Sequence, residues 1–208
     1  MARNPVPVED VRSSGARAER RRQILDAAKH VFAEAGYHGA SIHAIIERAE
    51  IARGTFYLYF ESKEAVFGAL LDEAMAELRS RIVRIETDAG SPSPQQQLED
   101  SLSRLLGFIV SDRPLATVLL SSSNTPDAEA AARLAGFYAE VQSVIALSLQ
   151  TGVAIGLLRP CHPERTAAAL LGMVRGIVEQ LISRGDAVPI RDVTRELIDL
   201  ALVGVLRR

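Results

Sequence analysis

Apolar positions recur along most of this chain with the 3.6-residue period of amphipathic helices, and the breaks between runs fall at glycine and proline. The first run puts Ile24, Ala28, Val31, Phe32 and Ala35 on one stripe, which predicts a helix from about Arg17 to Ala35 closed by Gly36. Ile42, Ile45, Ile46 and Ala49 then fall at i, i+3, i+4 and i+7, a short second helix with Ser41 as N-cap. Ile51 opens a third, in which Phe56 and Phe60, four apart, share the inward face. Ser62 caps a long fourth helix, whose Phe67, Leu70, Leu71, Ala74, Leu78, Ile82 and Ile85 hold the period to about Glu86.

Thr87 to Pro94, with Gly90, Pro92 and Pro94, terminates that helix. Further helices are expected at about 95–111, 113–122, 126–156, 163–184 and 190–207, divided by S-D-R-P, S-S-S-N-T-P, L-L-R-P-C-H-P and R-G-D-A-V-P. No alternating strand run interrupts them, so the expected fold class is all-α, with about nine helices in an N-terminal three-helix helix-turn-helix unit and a C-terminal helical body. Residues 1–16, holding Pro5, Pro7 and Gly15 with little apolar content, are expected to form a flexible arm; 17–63 make the helix-turn-helix unit and 64–208 the larger body.

Composition fits one substantial core or two modest ones: 208 residues, 48% apolar and 24% charged. The formal net charge of −2 argues against a nucleic-acid binder only if it is evenly spread. It is not, because residues 1–63 carry ten Lys or Arg against eight Asp or Glu, while the remainder carries fourteen against eighteen. Arg12, Arg17, Arg20, Arg21 and Arg22 concentrate the excess just ahead of the helix-turn-helix, where they can supply phosphate contacts. A single cysteine, Cys161, and the lack of an apolar stretch after the first ten residues favour a cytoplasmic protein. Eighteen uncharged residues separate Glu140 from Arg159, but Gln142, Ser143, Ser148, Gln150 and Thr151 make this a core helix, and no membrane association is expected.

The candidate chemistry lies on the third helix, whose outer face carries Arg53, Thr55, Tyr57 and Tyr59. Arginine forks onto guanine, threonine bonds a base edge or touches a thymine methyl, and tyrosine hydroxyls and Lys63 hold phosphates. Gly54, costly by about 1 kcal/mol in a helix interior, suits a backbone that must approach a duplex closely. The structural alternative makes Tyr57 and Tyr59 half-buried packing residues and Arg53 a solvated charge; the constellation as a whole favours double-stranded DNA.

The run A-R-G-T-F-Y-L-Y-F-E-S-K-E-A-V-F, preceded by A-G-Y-H-G-A-S-I-H-A-I-I-E-R-A-E-I, resembles the DNA-binding domain of the TetR family of transcriptional regulators, over Arg20 to Ser80. The resemblance implies DNA contacts from Ser41, His43, Ala52, Arg53, Gly54, Thr55, Tyr57, Tyr59 and Lys63. Ala52 and Leu58 depart from the family pattern, each removing a possible hydrogen bond. It further implies a C-terminal ligand-binding and dimerisation domain, in which a small-molecule effector fills a cavity and shifts the fourth helix. Candidate lining residues are Met75, Leu78, Leu105, Phe108, Ile109, Leu119, Phe137, Tyr138, Val141, Ile145 and Met173, whose character suits an apolar effector.

Two-sided apolarity of the last two helices points to a homodimer through a four-helix bundle. Ala168, Gly172 and Gly176 recur every four residues beside Arg175, and Ile198, Ala201, Leu202 and Val205 extend the candidate interface. A two-fold dimer requires a near-palindromic operator with half-sites roughly 34–36 Å apart or a multiple of that. The expected function is a dimeric repressor released from such an operator by its effector. The alternative is an effector-independent DNA-binding dimer, an activator or architectural protein.

No catalytic residue, metal ligand or cofactor is expected. His30, His38, His43 and His162 show no metal-binding spacing, and Cys161 beside His162 lies in a proline-flanked turn ill suited to a nucleophile and base.

Overall fold

A computed structural model describes residues 8–82, 85–86, 88–121, 128–184 and 189–205, the side chains of 8–14 and 202–205 excepted. The described residues contain nine helices and no strand: α1 Val8–Gly39, α2 Ile42–Arg48, α3 Arg53–Tyr57, α4 Lys63–Arg81, α5 Pro94–Ser111, α6 Arg113–Leu120, α7 Ala128–Ala154, α8 Pro163–Arg184 and α9 Ile190–Val205. The expected helices are all present. Ser122, Pro126, Asp127 and the chain beyond Val205, included in the expected sixth, seventh and ninth helices, lie outside the described residues.

Three boundaries differ from expectation, each for a local reason. α1 begins at Val8, well ahead of Arg17; no proline follows Pro7 in this stretch, and the lone Gly15 costs only about 1 kcal/mol. At its other end α1 is broken at Gly36, whose φ of 68° glycine adopts without strain, and the Gly36 carbonyl accepts from the Ala40 N–H at 3.1 Å. α3 begins at Arg53 rather than Ile51, with Ala52 in the extended N-cap conformation. α4 stops at Arg81 although the apolar period continues through Ile82 and Ile85. The β-branched residues there are weak helix formers, and Gln97 of α5 captures the departing chain: its amide donates to the Glu86 and Pro92 carbonyls, each at 2.7 Å, and accepts from the Glu86 N–H at 2.8 Å.

Four helices start on a side-chain cap, each satisfying an N–H that the first turn leaves unpaired. Ser41 accepts from Ala44, Ser62 from Ala65, Ser93 from Gln96 and Asp112 from Leu115, at 3.0–3.2 Å.

The largest buried cluster runs from α1 through α2, α3 and α4 into α6 and α7, crossing the expected division at residue 63. At its centre the ring of Phe67 meets Phe32 at 5.2 Å and Tyr37 at 4.8 Å, both edge-on, while Phe32 and Tyr37 stack at 5.6 Å. α1 lies against both α4 and α6, so the N-terminal unit is welded to the body. Lys29 reinforces that seam from α1, donating to Asp112 at 2.6 Å and reaching Asp26 at 2.9 Å. A second cluster joins α5, α6, α8 and α9 around Leu106 and Val178, and a third joins α7 to α8 around Ala146, Leu149 and Ala167.

Candidate nucleic-acid interface

α2 is fixed on α1 by Ile45 and Ala49, both buried, and by Gln23, whose amide donates to the Ala49 carbonyl at 2.7 Å. The chain then turns through Glu50, a non-glycine residue at φ 50°, and α3 follows. The Ala52 carbonyl accepts from Thr55 and Phe56, at 2.9 and 3.3 Å. Phe56 at 0% and Phe60 at 5% exposure anchor the inner side of α3, as the four-residue spacing requires. A five-residue helix has too few internal hydrogen bonds to persist alone; burial of these two rings sets which way its other residues point.

Ser41, His43, Ala52, Arg53, Gly54 and Tyr57 are each exposed. A side chain added at Gly54 meets nothing within 4 Å, so packing within the chain does not demand glycine there. Arg53 lies with its guanidinium 5.8 Å from the Tyr57 ring centre. Thr55 and Tyr59 are half-buried instead: Tyr59 packs against the main cluster, with Arg17 6.0 Å from its ring centre, and the packing alternative describes it better than an outward one.

Leu58, which departs from the family pattern by removing a possible hydrogen bond, follows directly on α3. As the C-cap of α3 it continues a stripe with Gly54, four residues back, next to Tyr57, and it is 73% exposed.

Lys63 opens α4 and donates to the carbonyls of Tyr37 and Ala40 at 2.9 and 3.2 Å, its ammonium 4.3 Å from the Tyr37 ring centre. Two of its three donors thus close the C-terminal end of α1. Next to it, the Glu64 carboxyl is held below its ordinary value, first by its own backbone N–H and the Ser62 hydroxyl, then by the Tyr37 hydroxyl and Lys63. Within the arginine run, Arg20 bonds Gln23, Arg21 pairs with Glu73 across to α4, and Arg22 pairs with Glu19. Arg12 lies where side chains are not described.

The expected effector residues converge in part. Met75, Leu78, Leu119 and Phe137 are buried in the main cluster, and Leu105, Phe108, Ile109, Tyr138 and Val141 pack around it. Met173 belongs to the second cluster and Ile145 to the third. Arg81 lies 4.1 Å from the Phe108 ring centre and Arg175 4.3 Å from that of Tyr138, whose hydroxyl donates to the Leu119 carbonyl. Two clefts, of about 300 and 240 Å³, open elsewhere: one between α1 and α2 beside Glu34 and Arg48, the other between Phe32, Tyr37 and Phe67 and the α6 and α7 residues Val118 and Leu134.

Of the expected interface residues, Ala168, Gly172 and Gly176 are exposed in a row on α8, and Ala201 and Arg175 are half-buried. Ile198 corrects the expectation: at 4% exposure it is enclosed by its own chain, because α9 turns this stripe toward α5. Leu200, 69% exposed, stands open instead. The side chains of Leu202 and Val205 lie outside those described. Among the described residues α8 is, by length and composition, the helix apolar enough to cross a membrane, with 11% of its most apolar window buried, whereas the sequence directed attention to α7. Among the described residues no three His, Cys, Asp or Glu side chains gather as a metal site.

Residues 24–70 match the family model described as bacterial regulatory proteins, tetR family, and residues 91–205 match that of the tetracyclin repressor-like C-terminal domain. The chain is 23% identical over 191 residues to the uncharacterized HTH-type transcriptional regulator YdgC of Bacillus subtilis, covering 90% of this chain and 93% of the relative. It is 36% identical over 97 residues to the fatty acid metabolism regulator protein of Bacillus subtilis, a match spanning 46% of this chain and 48% of that one. The crystal structure of the transcriptional regulator FadR from Bacillus subtilis in complex with stearoyl-CoA shares the fold, with a TM-score of 0.75, 22% identity, and coverage of 88% of this chain and 98% of that one.

Proposed function

The chain belongs to the TetR family of DNA-binding transcriptional regulators, and from that premise we propose that it acts as a cytoplasmic homodimeric repressor, released from a near-palindromic operator by a small, largely apolar effector. Proteins of this family are regulators and not enzymes. In this reading residues 17–63 face the duplex and residues 64–208 sense the effector and pair the protomers.

The observation that carries the DNA-reading assignment is the exposure of Arg53 and Tyr57 on α3, opposite the buried Phe56 and Phe60, with Ser41 and His43 of α2 exposed as well. Arg53 reads a base edge, while Tyr57, the third Lys63 donor and Arg17 hold phosphates. Site selection on the full-length protein tests it. The expected product is a near-palindrome whose half-sites lie one helical turn or a multiple apart, and Arg53→Ala is expected to relax one position by about 1–3 kcal/mol. Absence of any salt-dependent binding to duplex DNA refutes the reading.

For the effector, the apolar interior around Met75, Phe108 and Phe137 favours an apolar body, and Arg81 and Arg175 offer cations at its edge. A fatty acyl thioester is the first candidate, given that the structural neighbour from Bacillus subtilis holds stearoyl-CoA. Release requires that the effector prefer the conformation that cannot bind DNA. The cluster shared by α1, α4, α6 and α7 offers the mechanical route. A thermal-shift series over acyl-CoA chain lengths, followed by gel shifts, tests this. If no compound both stabilises the protein and lowers its DNA affinity, the effector-independent alternative is favoured.

A further inference from the structure

We propose that Leu58 is a specificity-determining residue that reads the C5-methyl group of a pyrimidine in the major groove; this rests on the assignment of α3 as the DNA-reading helix. Among the described residues Leu58 is the most exposed large apolar side chain, at 73%. It does not sit on a floppy tip. Its N–H donates to the Thr55 carbonyl at 3.2 Å, and the next two N–H groups, of Tyr59 and Phe60, each donate to the Phe56 carbonyl at 3.0 Å. Phe56 itself is wholly buried, so the backbone that carries Leu58 is held to the core on either side.

The surroundings fit a groove better than a protein partner. Leu58 shares its stripe with Gly54, which adds no bulk, and with Tyr57, 46% exposed, beside which the exposed Arg53 supplies a polar group. An isolated leucine within a polar patch offers too little apolar area for a protein interface, yet matches in size the one apolar feature that the major groove displays. That feature is the methyl on C5 of thymine, which cytosine lacks. A hydroxyl or amide at position 58 would compete for base-edge acceptors; leucine cannot, and discriminates solely by contact with a methyl.

Burial of one methyl-sized group corresponds to about a four-fold change in affinity. The test uses the full-length protein and its selected operator, with each thymine replaced in turn by deoxyuridine, which removes the methyl alone. The expected result for the wild type is a loss of about three- to five-fold at one position in each half-site. Leu58→Ala is expected to bind the operator more weakly and to be indifferent to uracil at that position. There, 5-methylcytosine is expected to be tolerated better than cytosine by the wild type only. Equal responses of wild type and Leu58→Ala to every uracil, or no response of the wild type to any, overturn the proposal while leaving α3 as the reading helix. Failure to select any operator overturns that assignment and this proposal together.

Discussion

In the N-terminal unit Ile24, Ala28, Ile45 and Phe56 are enclosed completely by their own chain, whereas on α8 and α9 Gly172, Gly176 and Leu200 lie open to solvent. Both regions are built from helices with apolar stripes. What separates them is the number of sides that carry one. α1, α2 and α4 each turn a single stripe toward the Phe32, Tyr37 and Phe67 rings and a polar face outward. α8 commits Val178 and Ala167 to the body and still has a row of small residues left over. A region that has finished burying its apolar surface responds to substitution as a folding problem; one that has not responds as an assembly problem.

The largest expected effect therefore falls in the finished region. Phe67→Ala removes the ring that meets both Phe32 and Tyr37, and the cavity left behind is expected to cost about 3–5 kcal/mol in denaturant unfolding. A loss below about 1 kcal/mol would mean that the three rings do not organise this core.

On α8 the expectation reverses. A Cβ added at Gly172 or Gly176 meets nothing within 4 Å in the single chain, and replacing glycine within a helix gains roughly 0.5–1 kcal/mol at each site. Gly172→Leu with Gly176→Leu is thus expected to leave an isolated protomer at least as stable as before. If a second protomer packs on this row, the same pair of changes is expected to raise the dimer dissociation constant by about 100-fold, roughly 2.7 kcal/mol, and to abolish tight operator binding. Sedimentation equilibrium separates these results. A variant that stays dimeric places the interface elsewhere, with Leu147 and Ile155 on the α7 side as the next surface to examine.

Between the two regions runs the seam at Lys29 and Asp112. Asp112 is used twice, capping α6 at the Leu115 N–H and accepting from Lys29. Asp112→Ala is expected to cost about 2–3 kcal/mol, and Lys29→Met, which leaves the cap in place, about 1–2 kcal/mol. Burial disfavours the charge on Lys29, but its hydrogen bonds to Asp112 and then Asp26 outweigh this and raise its pKa above the ordinary 10.5. A raised folded value means that the contribution is complete below pH 10.5 and is lost as pH climbs through the folded value. Melting temperatures measured across that range should fall in the wild type by a step that Lys29→Met lacks.

Helix periodicity, serine caps and glycine breaks are local signals, which is why all the described helices and the Ser41 and Ser62 caps were legible in the sequence. The end of α4 was not, because the capture of Glu86 by Gln97 joins residues eleven apart through a side chain that no period marks. The reading surface was legible in composition but not in facing. Arg53 and Tyr57 are outward as expected, while Tyr59 is drawn inward by the main cluster and Leu58 is pushed out by the anchoring of Phe56. For the C-terminal body the apolar residues were identifiable, but which of two stripes faces its own chain is set by neighbouring helices, and Ile198 went the other way.

The smallest effect concerns the turn that sets α3 against α2. Glu50 holds φ 50°, a left-handed conformation that costs a residue with a Cβ roughly 1–2 kcal/mol and glycine almost nothing. Glu50→Gly removes this strain but also frees the unfolded chain, which returns part of the gain. The net expectation is a stabilisation of about 0.5–1 kcal/mol, with operator affinity unchanged because the backbone path is the same. Glu50→Ala keeps the Cβ and should bring no such gain, so the pair separates backbone strain from loss of the carboxylate. If both variants stabilise equally, charge rather than conformation is the liability at this turn. If Glu50→Gly instead weakens operator binding, the rigidity of the turn, and not merely its shape, is what presents Arg53 and Tyr57 to the duplex.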